Sequence, residues 1–201
     1  MGLPGNLGTG LMATRIAYYG GATGGLKGHK FSLYKGGIRV PEIVNWPTVI
    51  SAGQILDTPA ASMDIFPTCL EAADGAPSTF ELDGRNLLPL TARGEMPGDR
   101  TLCWEMAMQS AIQRGKWKLV LNGQLTEGYP PLDDVHLADL EQDMGEQSNL
   151  KDNHPEIVAE LEREVLDWRA KIETRWVKEY SVETQGTVTH KTRQLPGILT
   201  V

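Results

Sequence analysis

The chain has only two cysteines, no long apolar run and no excess of basic residues, and each absence excludes a class of protein. Cys69 and Cys103 stand far apart, which excludes a disulfide framework and leaves the redox compartment open. No segment approaches the ~18 consecutive apolar residues of a membrane-spanning helix, so no membrane partner is predicted. The net charge of -7 argues against nucleic acid as a partner, because binding phosphates requires a broad basic surface.

The remaining composition is that of a soluble globular protein of one or two domains, with 40% apolar and 22% charged residues over 201 positions. Residues 1–14 carry no basic stretch and no clear cleavage site, so no signal peptide is predicted there. Gly8, Gly10 and Ala13 fit the dinucleotide-binding fingerprint, but no strand precedes them, and this alternative is rejected.

Against this acidic background, residues 24–41 form a glycine-rich segment that collects positive charge. The segment contains no acidic residue and holds four cations: Lys27, Lys30, Lys35 and Arg39. Glycines let the backbone approach a ligand closely and direct its N–H groups inward. A lysine adds a mobile point charge. The pattern therefore predicts a loop that holds an anion.

The same segment resembles the sulfatase family, in which Leu-Arg-Gly-Gly-Lys leads into Glu-Gly-Gly-Ile-Arg-Val-Pro. Other blocks of the chain are similar to family blocks in the same order, from about residue 20 to residue 168: residues 43–47, 62–68, 82–90, 115–120 and 137–150. The nearest similarity is to bacterial sulfatases related to N-acetylgalactosamine-6-sulfatase.

The resemblance implies that Lys30 is a catalytic and substrate-binding residue that contacts a sulfate oxygen and neutralises charge as the S–O bond breaks. His29 is the second substrate-binding candidate, since it could donate to the ester oxygen. Taken without their context, both side chains read as solvated loop residues. Lys35 stands where the family has glutamate, which reverses the charge next to the predicted anion loop.

Two parts of the sulfatase machinery have no counterpart in the sequence. The family nucleophile is a formylglycine made from the cysteine of Cys-x-Pro-x-Arg, and neither cysteine stands in that motif. The resemblance implies Ca²⁺ in the intact enzymes, but Tyr18 and Tyr19 occupy the place of a metal-binding Asp-Asn, and phenols are poor Ca²⁺ ligands. We therefore predict no metal site and no cofactor in this chain. The acidic residues at 133–146 are expected to be solvated, and weak cation binding by Asp143 and Glu146 is the alternative for these two.

The predicted fold class is α+β, the C-terminal part of a sulfatase-type α/β fold, with a small antiparallel sheet packed by a long C-terminal helix. Strands are predicted at 15–19, 38–46, 102–106, 110–113, 117–121 and 135–140. A helix is predicted to begin near Asp64, residues 78–100 read as loop, and an amphipathic helix is predicted over 154–175. The domain division has three parts: residues 1–99 as a remnant of the large domain with the anion loop, 100–179 as the sheet-and-helix subdomain, and 180–201 as a flexible tail.

The functional prediction is a C-terminal sulfatase fragment, from an enzyme that hydrolyses sulfuric esters of sulfated sugars or aryl compounds, inactive as an isolated chain. One alternative is a non-catalytic binding or interaction module derived from a sulfatase. Another is a relative that hydrolyses phosphate or phosphonate esters. The predicted partners are a sulfated small molecule or glycan, and either a second copy or a missing N-terminal half that covers residues 16–19 and 43–44. Family members are often exported, but the sequence leaves the compartment open.

Overall fold

The computed structural model describes residues 22–75 and 81–179, so the strand predicted at 15–19 and the tail predicted after residue 179 lie outside the described residues. The helices are α1 (Lys35–Ile38), α2 (Ile65–Ala72), which follows a 3-10 turn (Ser62–Asp64), α3 (Leu88–Arg93) and α4 (Pro155–Glu179). The strands are β1 (Thr101–Met106), β2 (Gln109–Arg114), β3 (Trp117–Gly123) and β4 (Asp133–Asp139). Among the described helices, none is both long and apolar enough to cross a membrane.

The four strands form one antiparallel meander in the order β1-β2-β3-β4, which confirms the predicted sheet. The β2–β3 hairpin closes with Arg114 opposite Trp117 and with Gly115 at φ 55° between them. Two-residue hairpin loops need positive φ at their first central position, where glycine is favoured. The α+β fold class follows from this sheet and the long helix α4.

Helix α4 covers one face of the sheet, as its apolar periodicity predicts. Leu161 and Val165, one helical turn apart, are fully buried against Ile112, Leu119 and Leu137 from the central strands. Burial of each such side chain contributes roughly 1.5–3 kcal/mol. The alternation along β3 places Leu119 on this face and the neighbouring Lys118 on the other.

The second face of the sheet is covered by the glycine-rich segment. Leu33 and Tyr34 are buried there against Ala111 and Val120. The sheet is therefore the middle layer between α4 and residues 27–38. This contact joins residues on both sides of the domain boundary predicted at residue 99. The domain division itself stays a prediction.

Two sequence predictions in the segment before the sheet are wrong. Residues 39–46 have no strand in the structure, and Ile43 within them is 92% exposed. The predicted loop at 78–100 contains helix α3, because Pro89 is tolerated in the first helical turn and Gly94 ends the helix in the left-handed conformation, with φ 69°.

Asp64 is fully buried and ties the segment around α2 to the start of the sheet. One carboxylate oxygen lies 2.7 Å from the Arg100 guanidinium and accepts from the Ala61 amide at 2.8 Å, and the other accepts from the Arg85 amide at 2.7 Å. The side chain makes no capping hydrogen bond to α2, but it accepts from the Ala61 amide at the start of the 3-10 turn that leads into α2. Burial alone would raise the pKa of Asp64, but the hydrogen bonds from Arg100, Arg85 and Ala61 hold it below its ordinary value.

Replacing Arg100 should destabilise the fold far more than replacing an exposed arginine. Arg100→Met leaves the buried Asp64 carboxylate without its counter-ion, so the free energy of unfolding in urea should fall by about 3–5 kcal/mol. The matched control is Arg93→Met, whose partner Glu95 is exposed, so its loss of stability should be much smaller. Equal losses in the two variants would contradict this role for Asp64.

Candidate functional site

The candidate site is the closed loop of residues 27–38, in which the ends of the segment meet. The Gly36 amide donates to the Lys27 carbonyl at 2.8 Å. A Cβ at Gly36 would lie 2.1 Å from the Gly28 carbonyl oxygen, and one at Gly37 would lie 2.1 Å from the Ser32 carbonyl oxygen. The glycine pattern predicted a close approach of the backbone to a ligand. At these two positions the backbone instead approaches other residues of its own loop.

Of the four cations in residues 24–41, Lys27 and Lys35 have partners inside the molecule. The Lys27 ammonium lies 3.8 Å from Asp133, 3.3 Å from Nδ1 of His136 and 4.5 Å from the centroid of the Tyr34 ring. The Lys35 ammonium donates to Gln113 on β2 at 2.7 Å. Burial lowers the pKa of both lysines, and nearby carboxylates raise it in part. These two charges are engaged in holding the loop on the sheet.

Lys30 is placed differently, at the exposed tip of the loop. Its side chain makes no hydrogen bond or ion pair with the described residues, and its ammonium lies 5.2 Å from the centroid of the Phe31 ring. Arg39, the fourth cation, is also exposed but lies beyond the closed loop. Lys30 is therefore the cation within residues 27–38 that is available to an external anion.

His29 lies next to Lys30 in sequence but is buried, with 5% of its surface exposed. Its Nε2 lies 3.0 Å from the Thr126 hydroxyl, in the connection between β3 and β4. The two predicted site residues thus occupy different environments, one buried and one exposed. Substrate binding by either residue stays a prediction.

Sequence reasoning missed the residue that joins the loop to the sheet. Glu146, expected to be solvated, is fully buried 2.8 Å from the equally buried ammonium of Lys118. Its second oxygen accepts from the Lys35 backbone amide at 2.5 Å. Burial lowers the pKa of Lys118 to about 8, although Glu146 opposes the shift. One indication that Lys118 is buried was available from the sequence. The alternation in β3 puts it on the same face as Val120, and the structure shows that the loop covers this face.

The described residues do not fit a Ca²⁺ site. They contain no group of three or more acidic, histidine or cysteine side chains that could hold a metal ion. The acids nearest the loop already have partners, since Asp133 contacts His136 and Lys27, and Glu146 contacts Lys118. Ca²⁺ needs six or more oxygen ligands, and the described residues do not bring such a set together.

Glu146→Gln should destabilise the protein by about 3–5 kcal/mol, because it leaves the buried Lys118 ammonium without its counter-ion. Urea unfolding at neutral pH measures the loss. The matched control is Glu141→Gln, an exposed acid in the same connection, which should change the free energy by less than about 0.5 kcal/mol. In addition, Lys118→Met should recover part of the loss in the Glu146→Gln background, and strict additivity of the two changes would contradict the pairing.

Comparison with curated proteins finds sulfatases, although no family model matches the chain. The chain is 51% identical to human steryl-sulfatase over 74 residues, 36% of this chain and 12% of that protein. It is 31% identical over 146 residues to an uncharacterized sulfatase of Schizosaccharomyces pombe, 63% of this chain and 24% of that protein. Mouse N-acetylgalactosamine-6-sulfatase is 33% identical over 100 residues, 49% of this chain and 19% of that protein. The chain thus spans at most a quarter of these three relatives.

Solved structures show the same fold over most of the chain. A sulfatase of Bacteroides thetaiotaomicron, from a study of glycosaminoglycan metabolism, aligns with a TM-score of 0.58 and 24% identity over 76% of this chain and 32% of its own. The crystal structure of Ps i-CgsB aligns with a TM-score of 0.57 and 25% identity over 71% of this chain and 31% of its own. Together with the curated matches, these alignments correspond to a C-terminal portion of the sulfatase fold.

Proposed function

We propose that this chain, which is similar to sulfatases, supplies the sulfate-contacting loop of an enzyme that hydrolyses sulfate esters. The observation that carries this proposal is the placement of Lys30, which is exposed at the tip of a closed loop and makes no hydrogen bond or ion pair with the described residues. Its neighbours Lys27 and Lys35 hold the loop to the sheet instead. A fixed loop with one outward cation suits recognition of a small anion.

The chemistry assigned to Lys30 is electrostatic. An ammonium in contact with a sulfate oxygen stabilises the negative charge that develops on the ester as its S–O bond breaks. Lysine suits this contact because it acts as a compact point charge that can adjust to the oxygen. His29 is a weaker candidate for the same ester, because its Nε2 already lies 3.0 Å from the Thr126 hydroxyl.

The substrate class that we propose is a sulfated sugar or an aryl sulfate. Support comes from the names of the relatives, which include a steryl-sulfatase, arylsulfatases and an N-acetylgalactosamine-6-sulfatase. A second structure of Ps i-CgsB, with a TM-score of 0.54, is a complex with k-i-k-neocarrahexaose. These names favour sulfate esters over the phosphate or phosphonate esters of the alternative reading.

This chain should bind sulfate but should not turn over a sulfate ester by itself. Neither cysteine stands in Cys-x-Pro-x-Arg, so the precursor of the formylglycine nucleophile is missing from the sequence. The described residues do not fit Ca²⁺, which would act as the Lewis acid. Incubation with 4-nitrophenyl sulfate should release no nitrophenol. Turnover by the pure chain that is abolished in Lys30→Ala would overturn this expectation.

Sulfate binding can be followed by NMR titration of the backbone amide resonances of residues 29–32, together with the lysine side chains. Sulfate should shift these resonances in the wild-type chain, and Lys30→Ala should weaken binding about tenfold or more, whereas Lys171→Ala, which removes an exposed charge on α4, should leave it unchanged. Equal effects of the two variants would indicate non-specific charge attraction. Retained sulfate binding with no turnover in any assembly would favour a non-catalytic binding module.

We also propose that the segment after the loop is covered by another polypeptide, either a second copy of this chain or a separate N-terminal half. Val40, Ile43 and Val44 are 77%, 92% and 53% exposed, in one short segment that pairs with no strand of the described residues. Exposed apolar residues on unpaired extended backbone favour association.

Ile43→Lys should therefore shift the chain toward monomer in sedimentation, because a charge at this position opposes burial against a partner. Leu132→Lys is the control, since Leu132 is also an exposed apolar residue but lies in the connection before β4. A wild-type chain that stays monomeric at high concentration and binds no hydrophobic dye would count against both kinds of partner.

A further inference from the structure

The exposed position of Lys30 depends on a turn that is unusual for its sequence. The Ser32 amide donates to the His29 carbonyl at 2.8 Å, which closes a turn with Lys30 and Phe31 as its central residues. Phe31, the second central residue, has φ 74°. A positive φ at this position is typical of a type II turn, where glycine is the favoured residue. A bulky aromatic residue there is strained and persists only when its surroundings hold it.

The side chain of Gln109 supplies that hold. Gln109 is the first residue of β2 and only 1% of its surface is exposed. Its Nε2 donates to the Phe31 carbonyl at 2.8 Å, and its Oε1 accepts from the Leu33 amide at 3.3 Å. The same Oε1 accepts from the Gln124 amide at 2.9 Å, which fixes the side chain to the sheet. The buried side-chain amide of Gln109 therefore hydrogen-bonds the backbone on both sides of Ser32, at the Phe31 carbonyl and the Leu33 amide.

The two hydrogen bonds to the loop hold the peptide that links Phe31 to Ser32. Rotation of Phe31 toward negative φ would relieve its strain. With the Lys30 side of the turn fixed, that rotation would swing the Phe31 carbonyl away from Nε2 of Gln109 and leave a buried amide unpaired. Gln109 therefore opposes this relaxation of the turn that carries Lys30.

We propose that Gln109 is a positioning residue for Lys30. It acts through Phe31 and Leu33 and touches no substrate itself. The inference rests on the sulfate-contacting role proposed for Lys30, because a preorganised cation binds an anion without the cost of ordering the loop.

The test compares Gln109→Glu with Ser110→Ala. The first change keeps the shape and the acceptor for Leu33 and Gln124, but at neutral pH it sets a carboxylate oxygen against the Phe31 carbonyl. The control removes a buried hydroxyl in the next residue, which has no hydrogen-bond partner among the described residues. The readouts are hydrogen exchange at the Ser32 and Leu33 amides and the sulfate titration of Lys30.

Gln109→Glu should speed exchange at both amides and weaken sulfate binding about fivefold at neutral pH, the value of roughly one net hydrogen bond. Ser110→Ala should change neither readout. Two rescues are expected. Acidification should restore binding in Gln109→Glu, because the protonated carboxyl can donate to Phe31. Phe31→Gly should also restore binding in that background, because glycine adopts positive φ without strain.

The outcomes separate this proposal from the function on which it rests. If Lys30→Ala weakens sulfate binding and Gln109→Glu leaves binding unchanged, the positioning role is overturned, even when exchange is faster. If Gln109→Glu weakens binding but neither rescue restores it, a general loss of structure is the explanation and the proposal is also overturned. If Lys30→Ala has no effect on binding, the proposed role of Lys30 fails first. Positioning for sulfate then fails with it, and the exchange data show only whether Gln109 holds the turn.

Discussion

The buried pair of Glu146 and Lys118 is the interaction on which the layered structure depends. Neither charge can be buried alone without a large penalty, so the turn that carries Glu146 must meet the sheet where Lys118 lies. The second oxygen of Glu146 accepts from the Lys35 amide, which brings the glycine-rich loop to the same point. One carboxylate thus joins three segments that are distant in sequence, and it helps to pack the loop as a layer on the sheet.

This arrangement divides the loop cations by role. Lys27 and Lys35 neutralise or contact groups on the sheet and thereby hold the loop in place. Lys30 remains outside, on a turn whose backbone is fixed from below by Gln109. A reactive or binding group held by buried hydrogen bonds meets its ligand without reorganisation, which is the physical advantage of building an anion site on a packed sheet.

The similarity to sulfatases accounts for a loop of this kind in a chain whose cysteines do not stand in Cys-x-Pro-x-Arg. The alignments cover at most about a third of the solved sulfatases described above and less of the curated ones. The described residues hold the sheet, helix α4 and the loop with its outward lysine, and they contain no group that fits Ca²⁺. The role proposed for this chain is therefore anion recognition rather than the whole reaction.

The sequence by itself determined the four strands of the sheet, the long helix and the resemblance to sulfatases, because apolar periodicity and the order of motifs can be recognised without knowledge of contacts. It also identified Lys30 as the candidate residue. It could not show that Glu146 and Lys118 are buried together, nor that Gln109 hydrogen-bonds the backbone at Phe31, because each contact joins residues more than 25 positions apart that meet only after folding. The strand expected at 38–46 failed for the same reason: its apolar residues fit a strand, but a strand exists only where a second backbone pairs with it.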